Sequence, residues 1–292
     1  MPPELRWGER TWIMGIVNVT PDSFSGDGLA PTGRDLDEVV AAALSQGRAM
    51  VDAGADILDV GAESTRPRGA YGERAEIDAE AEAALAVPVV RALATAFGER
   101  AQISIDTSKG SVAAAAIEAG ATIVNDVWAA RRDPGTADAA AASGAHLVLM
   151  HNRDEIDYPD GVYAAVVAWL RDSVAAAIAQ GVSRDRLIVD PGIGFGKGTE
   201  ENLELLHRLE ELKRDLAGLP VLVGTSRKRF LGELLDGAAP DDRIEGTAAT
   251  AVLAVMAGAD IVRVHDVRAN VRAAQVADAI VRGSWRPPAE GA

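Results

Sequence analysis

The chain has 292 residues, 48% of them hydrophobic and none of them cysteine, and its 29 lysines and arginines face 44 aspartates and glutamates for a formal net charge of -15. That charge excludes a phosphate backbone or an anionic membrane as the natural partner, because such surfaces repel it on average. The missing cysteine excludes a disulfide framework, a thiolate nucleophile and a cysteine-bound zinc, and suits a reducing compartment. The opening MPPELRWGER has no apolar core of a signal peptide, and no uninterrupted run of eighteen apolar residues occurs. A cytoplasmic protein with neither nucleic acid nor membrane as partner is expected.

In chain order, residues 6–11 are expected to form a short hairpin, with Gly8 and Glu9 at its turn, closing one end of the fold. The first apolar strand, residues 12–19, runs into a loop of hydroxyls, a proline and a carboxylate: IMGIVNVTPDSFS from Ile13 to Ser25. The second, residues 57–60, repeats that layout in ILDVGAESTRPRG, with Asp59, Glu63, Ser64, Thr65 and Arg66 on or just after the strand. Further strands are expected at 103–105, 123–124, 147–150, 187–189, 221–223 and 261–264. Four of the eight are entered through the same junction, in which an Ala-rich helical segment ends in Gly and turns straight into an apolar run: AGADILDV, AGATIVNDV, SGAHLVLMH and AGADIVRVHDV.

Continuous apolar strands alternating with helices mean a parallel sheet covered on its outer face. Eight such units in under 300 residues predict an α/β chain folded as one (β/α)8 TIM barrel of eight parallel strands. The whole chain, 1–292, reads as one domain with its core at about 11–281, and the tail from Gly283 as frayed. Barrel enzymes place their chemistry at the C-terminal ends of the strands. Those ends carry Asn18, Asp59 and Glu63, Asp106, Asn125 and Asp126, His151, Asp190, Gly224 with Arg227 and Lys228, and Arg263 with His265. Any one of these is most simply a helix cap or a satisfied buried polar group. Eight convergent ends outweigh that reading.

The segments NVTPDSFS at Asn18, ESTRP at Glu63, SIDTSK at Ser104, VNDV at Val124, DPGIGFGK at Asp190, GTSRKRF at Gly224 and RVHDV at Arg263 resemble, in order, those of the dihydropteroate synthases. That family of pterin-binding enzymes is a transferase family of folate biosynthesis. The resemblance runs from about Thr11 to Val281. It implies a (β/α)8 barrel that condenses 6-hydroxymethyl-7,8-dihydropterin diphosphate with p-aminobenzoate, with Mg2+, commonly as a homodimer.

By the same resemblance Asp190 accepts the paired N–H donors of the pterin edge, Asn125 lies next to it, Asp106 faces the reduced ring's N–H and Lys228 donates to the pterin carbonyl and ring nitrogen. Met150 and Phe195 flank the flat ring, and Gly224 leaves room for it. Arg263 and His265, alternate residues on the last strand, bind the diphosphate, joined by Arg66, and Asn18 offers its amide oxygen to Mg2+. Phe24, Thr65 and Pro67 surround p-aminobenzoate, with Arg229 near its carboxylate. His151 reads as structural. The implied mechanism is dissociative: pyrophosphate leaves before the arylamine attacks, and no protein nucleophile is needed.

The chain departs from the family pattern at SGDG from Ser25, at Ala62, at an extra Arg68 and at Trp128. GIGFGKG at Gly192 resembles a phosphate-binding loop, yet Walker A spacing would require Gly where Pro191 stands and Ser or Thr where Gly198 stands. A corrinoid methyltransferase using methyltetrahydrofolate would share the barrel and pterin pocket without needing the NVTPDSF and ESTRP loops. A non-enzyme pterin-binding paralogue would bind pterin without forming product.

Overall fold

The computed structural model of the protein describes residues 3–20, 29, 35–63 and 77–285. The expectations for Phe24, Thr65, Arg66, Pro67 and Arg68 therefore lie outside the described residues. Strands and helices alternate along the chain: β1 (Trp12–Asn18), α1 (Leu36–Asp52), β2 (Ile57–Gly61), α2 (Ala79–Phe97), β3 (Gln102–Asp106), α3 (Gly110–Glu118), β4 (Ile123–Asp126), α4 (Gly135–Ser143), β5 (His146–Met150) and α5 (Val162–Ala179). They continue through β6 (Leu187–Asp190), α6 (Thr199–His207), α7 (Leu209–Asp215), β7 (Leu222–Val223), α8 (Arg229–Leu234), α9 (Ile244–Met256), β8 (Ile261–Val264) and α10 (Val267–Val281).

All strand pairs are parallel, in the order β6-β5-β4-β3-β2-β1-β8-β7. A bridge between Val189 and Val221 closes the ring, with Val189 N donating to Pro220 O at 2.9 Å. This is the expected (β/α)8 barrel.

Strand side chains alternate between two surroundings. Leu58, Val60, Ile103, Ile105, Leu147, Leu149, Leu187 and Val189 pack outward into the large core beneath the helices. A second, separate cluster of Leu5, Trp12, Met14, Ile57, Ile123, Val148, Ile188, Leu222 and Ile261 fills the barrel interior toward the N-terminal ends of the strands. Two residues further along those strands, the same inward face carries Asp59, Asn125, Met150, Asp190, Gly224 and Arg263. The interior thus has an apolar floor and a polar upper row.

The expected N-terminal hairpin is not formed: residues 7–10 turn, with Gly8 at φ +83°, but pair with no strand. Both edges of β1 are already taken, by β2 and β8, so no edge remains for an antiparallel partner. Leu5 and Trp7 instead pack against the barrel floor, and Trp12 Nε1 donates to Arg6 O at 3.0 Å. Among the described residues one helix, α5, is long and apolar enough to cross a membrane. It carries Arg171 and Asp172, and it packs as a barrel helix with Val166, Leu170, Val174 and Ala177 on its buried side.

Candidate active site

At the upper row Arg263 is held between two carboxylates. Its Nε donates to Asp59 Oδ2 at 2.7 Å and its Nη2 to Asp106 Oδ2 at 2.8 Å. Asn125 Nδ2 donates to the same Asp59 oxygen at 3.0 Å. Asp59 is fully buried, and both its Oδ1 and that of Asp106 are buried without a protein partner. Unpaired buried carboxylate oxygens are costly, so two of them side by side mark a place prepared for N–H donors from outside the protein.

The electrostatics follow from this crowding. Burial, then Asp59 and Glu82, push the Asp106 carboxyl up to about 8 against the pull of Arg263. Burial works against the Arg263 charge, yet Asp59 and Asp106 outweigh it and hold its pKa above the ordinary value. Burial also raises Asp190 against the pull of Lys228, and lowers Lys228 to about 8, with Arg263 adding to and Asp190 opposing that shift. Two cations, Arg263 and Lys228, therefore face three carboxyl groups, Asp59, Asp106 and Asp190, of which Asp106 is mostly protonated at neutral pH. Such a site favours a ligand that brings N–H donors to the unpaired oxygens.

Asp190 Oδ1 accepts Gly192 N at 2.7 Å, leaving Oδ2 with no protein hydrogen bond. Lys228 Nζ donates to Ile193 O and lies 4.6 Å from the centre of the Phe195 ring. Phe195 is half-buried, and Met150, though buried, belongs to neither apolar cluster. Met150 thus borders the upper row from the inward face of β5, and Phe195 borders it through its contact with Lys228. A Cβ on Gly224 would lie 3.6 Å from Arg263 Cβ and 3.9 Å from Lys228 Nζ, so the glycine keeps the space between the two cations open.

His265 is oriented by Ser226, whose Oγ takes His265 N at 3.1 Å and lies 3.0 Å from Nδ1. The next residue, Arg227, sits at φ +59°, a strained backbone for a non-glycine. Buried Arg243 stabilises that turn by donating to Arg227 O at 2.9 Å and Lys228 O at 3.1 Å. Arg229 joins none of this: it opens α8 at the surface and pairs with Glu233 at 2.9 Å. Trp128, a departure from the family pattern, lies under the Arg132 guanidinium at 3.6 Å.

Three residues that the structure brings to the site have no assigned role on sequence alone. Asp59 was read only as part of a polar strand end, although its place two residues after inward-facing Ile57 was a usable signal. Lys109 bridges Glu63, at the start of the second loop, and buried Glu82 of α2. Lys197 is buried beside His151.

A sequence model described as "Pterin binding enzyme" matches residues 14–265. The chain is 42% identical over 280 residues to a dihydropteroate synthase of Bacillus subtilis, covering 96% of this chain and 92% of that protein. It is 45% identical to the one of Mycobacterium leprae, covering 94% and 93%. Among solved structures, a dihydropteroate synthase from Clostridium difficile determined with pteroic acid superposes with a TM-score of 0.85 at 42% identity, covering 96% of this chain and all of that one. The enzyme from Xanthomonas albilineans in complex with 7,8-dihydropteroate gives 0.80 at 37% identity, covering 94% of each chain.

Proposed function

This chain belongs to the pterin-binding enzyme family, and from that premise we propose how its own residues carry out the reaction of the dihydropteroate synthases. It is a transferase that joins 6-hydroxymethyl-7,8-dihydropterin diphosphate to p-aminobenzoate, giving 7,8-dihydropteroate and pyrophosphate. The observation that carries the assignment of roles is the polar upper row, with three carboxylates around two cations and unpaired oxygens on Asp59 and Asp106.

Asp190 Oδ2 and Asn125 take the hydrogen-bonding edge of the pterin, Lys228 donates to its carbonyl and ring nitrogen, and Asp106 accepts from the reduced ring. Met150 and Phe195 close on the two faces. As pyrophosphate departs, the pterin methylene becomes cationic and is stabilised by the pterin's own electrons; the arylamine nitrogen then attacks it and loses a proton, with no protein nucleophile. Arg263 Nη1, which makes none of the bonds to Asp59 or Asp106, and His265 receive the leaving diphosphate. Phe24, Thr65, Arg66 and Pro67, with Arg229 at the rim, are assigned to the p-aminobenzoate and diphosphate side on their resemblance to the family. The test is direct: the protein with both substrates and Mg2+ should release pyrophosphate and dihydropteroate in equal amounts. Pterin binding without product would instead establish the non-enzyme paralogue.

Mg2+ fits as a substrate-held ion. Among the described residues no group of three His, Asp or Glu side chains could cage a metal. Asn18, at the end of β1, carries an amide oxygen that accepts no hydrogen bond from the described residues and suits a hard cation. When bound, the ion would neutralise the diphosphate charge as the C–O bond breaks. Asn18→Ala should raise the Mg2+ concentration needed for half-maximal rate by roughly tenfold, the loss of one inner ligand being worth about 1.4 kcal/mol. Pterin affinity without Mg2+ should not change, and an unchanged Mg2+ titration would count against the assignment.

A homodimer is part of the same proposal, supported by an apolar surface on the packed pair α9 and α10. Leu253 and Met256 of α9 and Val276 and Ile280 of α10 are exposed, Ile280 to 77%. Ile280→Glu should shift the protein to monomer mass in sedimentation at micromolar concentration, since a charge is poorly accommodated in an apolar interface core. A dimer unaffected by it would place the interface elsewhere. The cytoplasmic location expected from the cysteine-free composition is retained on the same footing.

A further inference from the structure

The segment GIGFGKG, which fails as a phosphate loop, has a different use in this fold. After β6 the chain passes through Gly192, Gly194 and Gly196 at φ +69°, +80° and +58°. A Cβ on Gly192 would lie 1.8 Å from His151 O, and one on Gly194 2.8 Å from Lys228 Cδ. The glycines are thus required both by conformation and by contact, and the loop is pressed between the end of β5 and Lys228.

Most backbone polar atoms from Gly192 to Gly196 are hydrogen-bonded. Gly192 N donates to Asp190 Oδ1 at 2.7 Å, Gly194 N to Asn202 Oδ1 at 2.6 Å and Phe195 N to Gly192 O at 3.1 Å. Tyr158 Oη donates to Gly196 O at 2.7 Å, and Lys228 to Ile193 O. The remaining grip is Lys197, whose Nζ donates to Gly192 O and Phe195 O, each at 2.8 Å, and lies 2.9 Å from His151 Nδ1. Its hydrogen-bond partners are all neutral, it forms no ion pair among the described residues, and it is buried. His151 is itself fixed by the rings of Tyr158 and Trp169, 6.2 and 5.2 Å away.

We propose that Lys197 is the positioning residue of the pterin subsite: by tying Gly192 O and Phe195 O to His151, it fixes where the Asp190 carboxylate, the Phe195 ring and the Lys228 ammonium stand. The geometry gives each consequence. Asp190 is oriented through Gly192 N, the ring through the Phe195 carbonyl, and Lys228 through Ile193 O, three atoms within the span Lys197 closes. Either protonation state satisfies its bonds, since an ammonium donates three and a neutral amine donates two and accepts one from His151 Nδ1–H. Burial, first of all, holds the Lys197 pKa well below its ordinary value and lowers His151 to about 2, so the pair does not carry two charges.

This inference rests on the pterin reading above, and the experiment separates the two. Wild-type protein is titrated calorimetrically with 6-hydroxymethylpterin, and Lys197→Met, Lys197→Gln and Tyr158→Phe follow, each with kcat and with KM for both substrates. Absence of pterin binding or turnover in the wild type defeats the reading itself. With those in place, Lys197→Met should weaken pterin at least tenfold and leave the p-aminobenzoate KM within twofold. Lys197→Gln, whose shorter side chain keeps an amide NH2 with two donors, should recover part of the loss. Tyr158→Phe, which frees only the outer Gly196 carbonyl, should leave both within twofold. A folded Lys197→Met with lower Tm but wild-type pterin affinity overturns the proposal, as does an equal loss for both substrates. Should neither lysine variant fold, amide exchange in the wild type decides: slow exchange of Gly192 and Phe195, slowed further by pterin, supports the clamp, and fast exchange overturns it.

Discussion

Replacing Arg263 with methionine should cost about 3 to 5 kcal/mol of stability at pH 8, the usual penalty for leaving buried carboxylates without their counterion. Asp59 and Asp106 share that guanidinium at 2.7 and 2.8 Å. The loss should shrink as the pH falls. The folded pKa of Asp106 is pushed up to about 8, above its ordinary 3.8, so folding favours its neutral form. That contribution is complete below the unfolded value and disappears as the pH rises through the folded one. Without Arg263 the folded pKa moves higher still, so the deficit shrinks as the pH falls from that raised value to about 8 and stays nearly constant below it, where both folded proteins hold the proton. His146 and His151, lowered by burial to about 4 and about 2, weaken both proteins as the pH drops below 6.5. That effect is common to both and cancels in the difference. Urea unfolding of both proteins at about pH 8 and about pH 10 gives the comparison, and a deficit no larger at the higher pH would mean Asp106 is not the residue stranded.

Asp190→Asn should cost roughly 2 to 4 kcal/mol of pterin affinity, about 30- to 900-fold in Kd. Oδ1 already accepts Gly192 N, so Oδ2 is the atom offered to the pterin edge. The amide that keeps the Gly192 contact turns its NH2 toward the ligand's own donors, replacing a charge-assisted bond with two opposed N–H groups. Stability should not fall, because burial already holds the carboxylate pKa above its ordinary value and the charged form is a burden on the fold. Calorimetry with 6-hydroxymethylpterin measures the first effect and thermal unfolding the second. Affinity within twofold of wild type would remove Asp190 from the pterin subsite.

The sequence displayed the barrel clearly because parallel buried strands are near-continuous apolar runs and their helices end in repeated Gly turns. Its errors have local causes. On sequence alone the fourth strand spans Ile123 and Val124, yet Asn125 and Asp126 also lie in β4. Polar residues at a strand's C-terminal end continue the inward alternation, and here they form the site. Asp59 stands in its strand and among the strand-end candidates on sequence alone, but only the fold shows it as the partner of both Arg263 and Asn125. Arg263 was read as a phosphate ligand, and only the fold reveals that two carboxylates hold it. Lys197 and Lys109 could not be read in advance, because the burial of a lysine depends on partners 27 to 46 residues away. The hairpin failed because a sequence turn does not say whether a strand edge is open.

The division of the barrel interior into an apolar floor and a polar row has an evolutionary meaning. On each strand about 7 Å, two residues of extended chain, separate the side chain that keeps the barrel closed from the one that meets the ligand. Val148 and Met150, Ile188 and Asp190, or Ile261 and Arg263 are such neighbours. A lineage can rewrite the second member of each pair and acquire a different heterocycle while inheriting the first unchanged. Mutations accumulating in the two rows are then filtered by different pressures, the floor by folding and the upper row by chemistry.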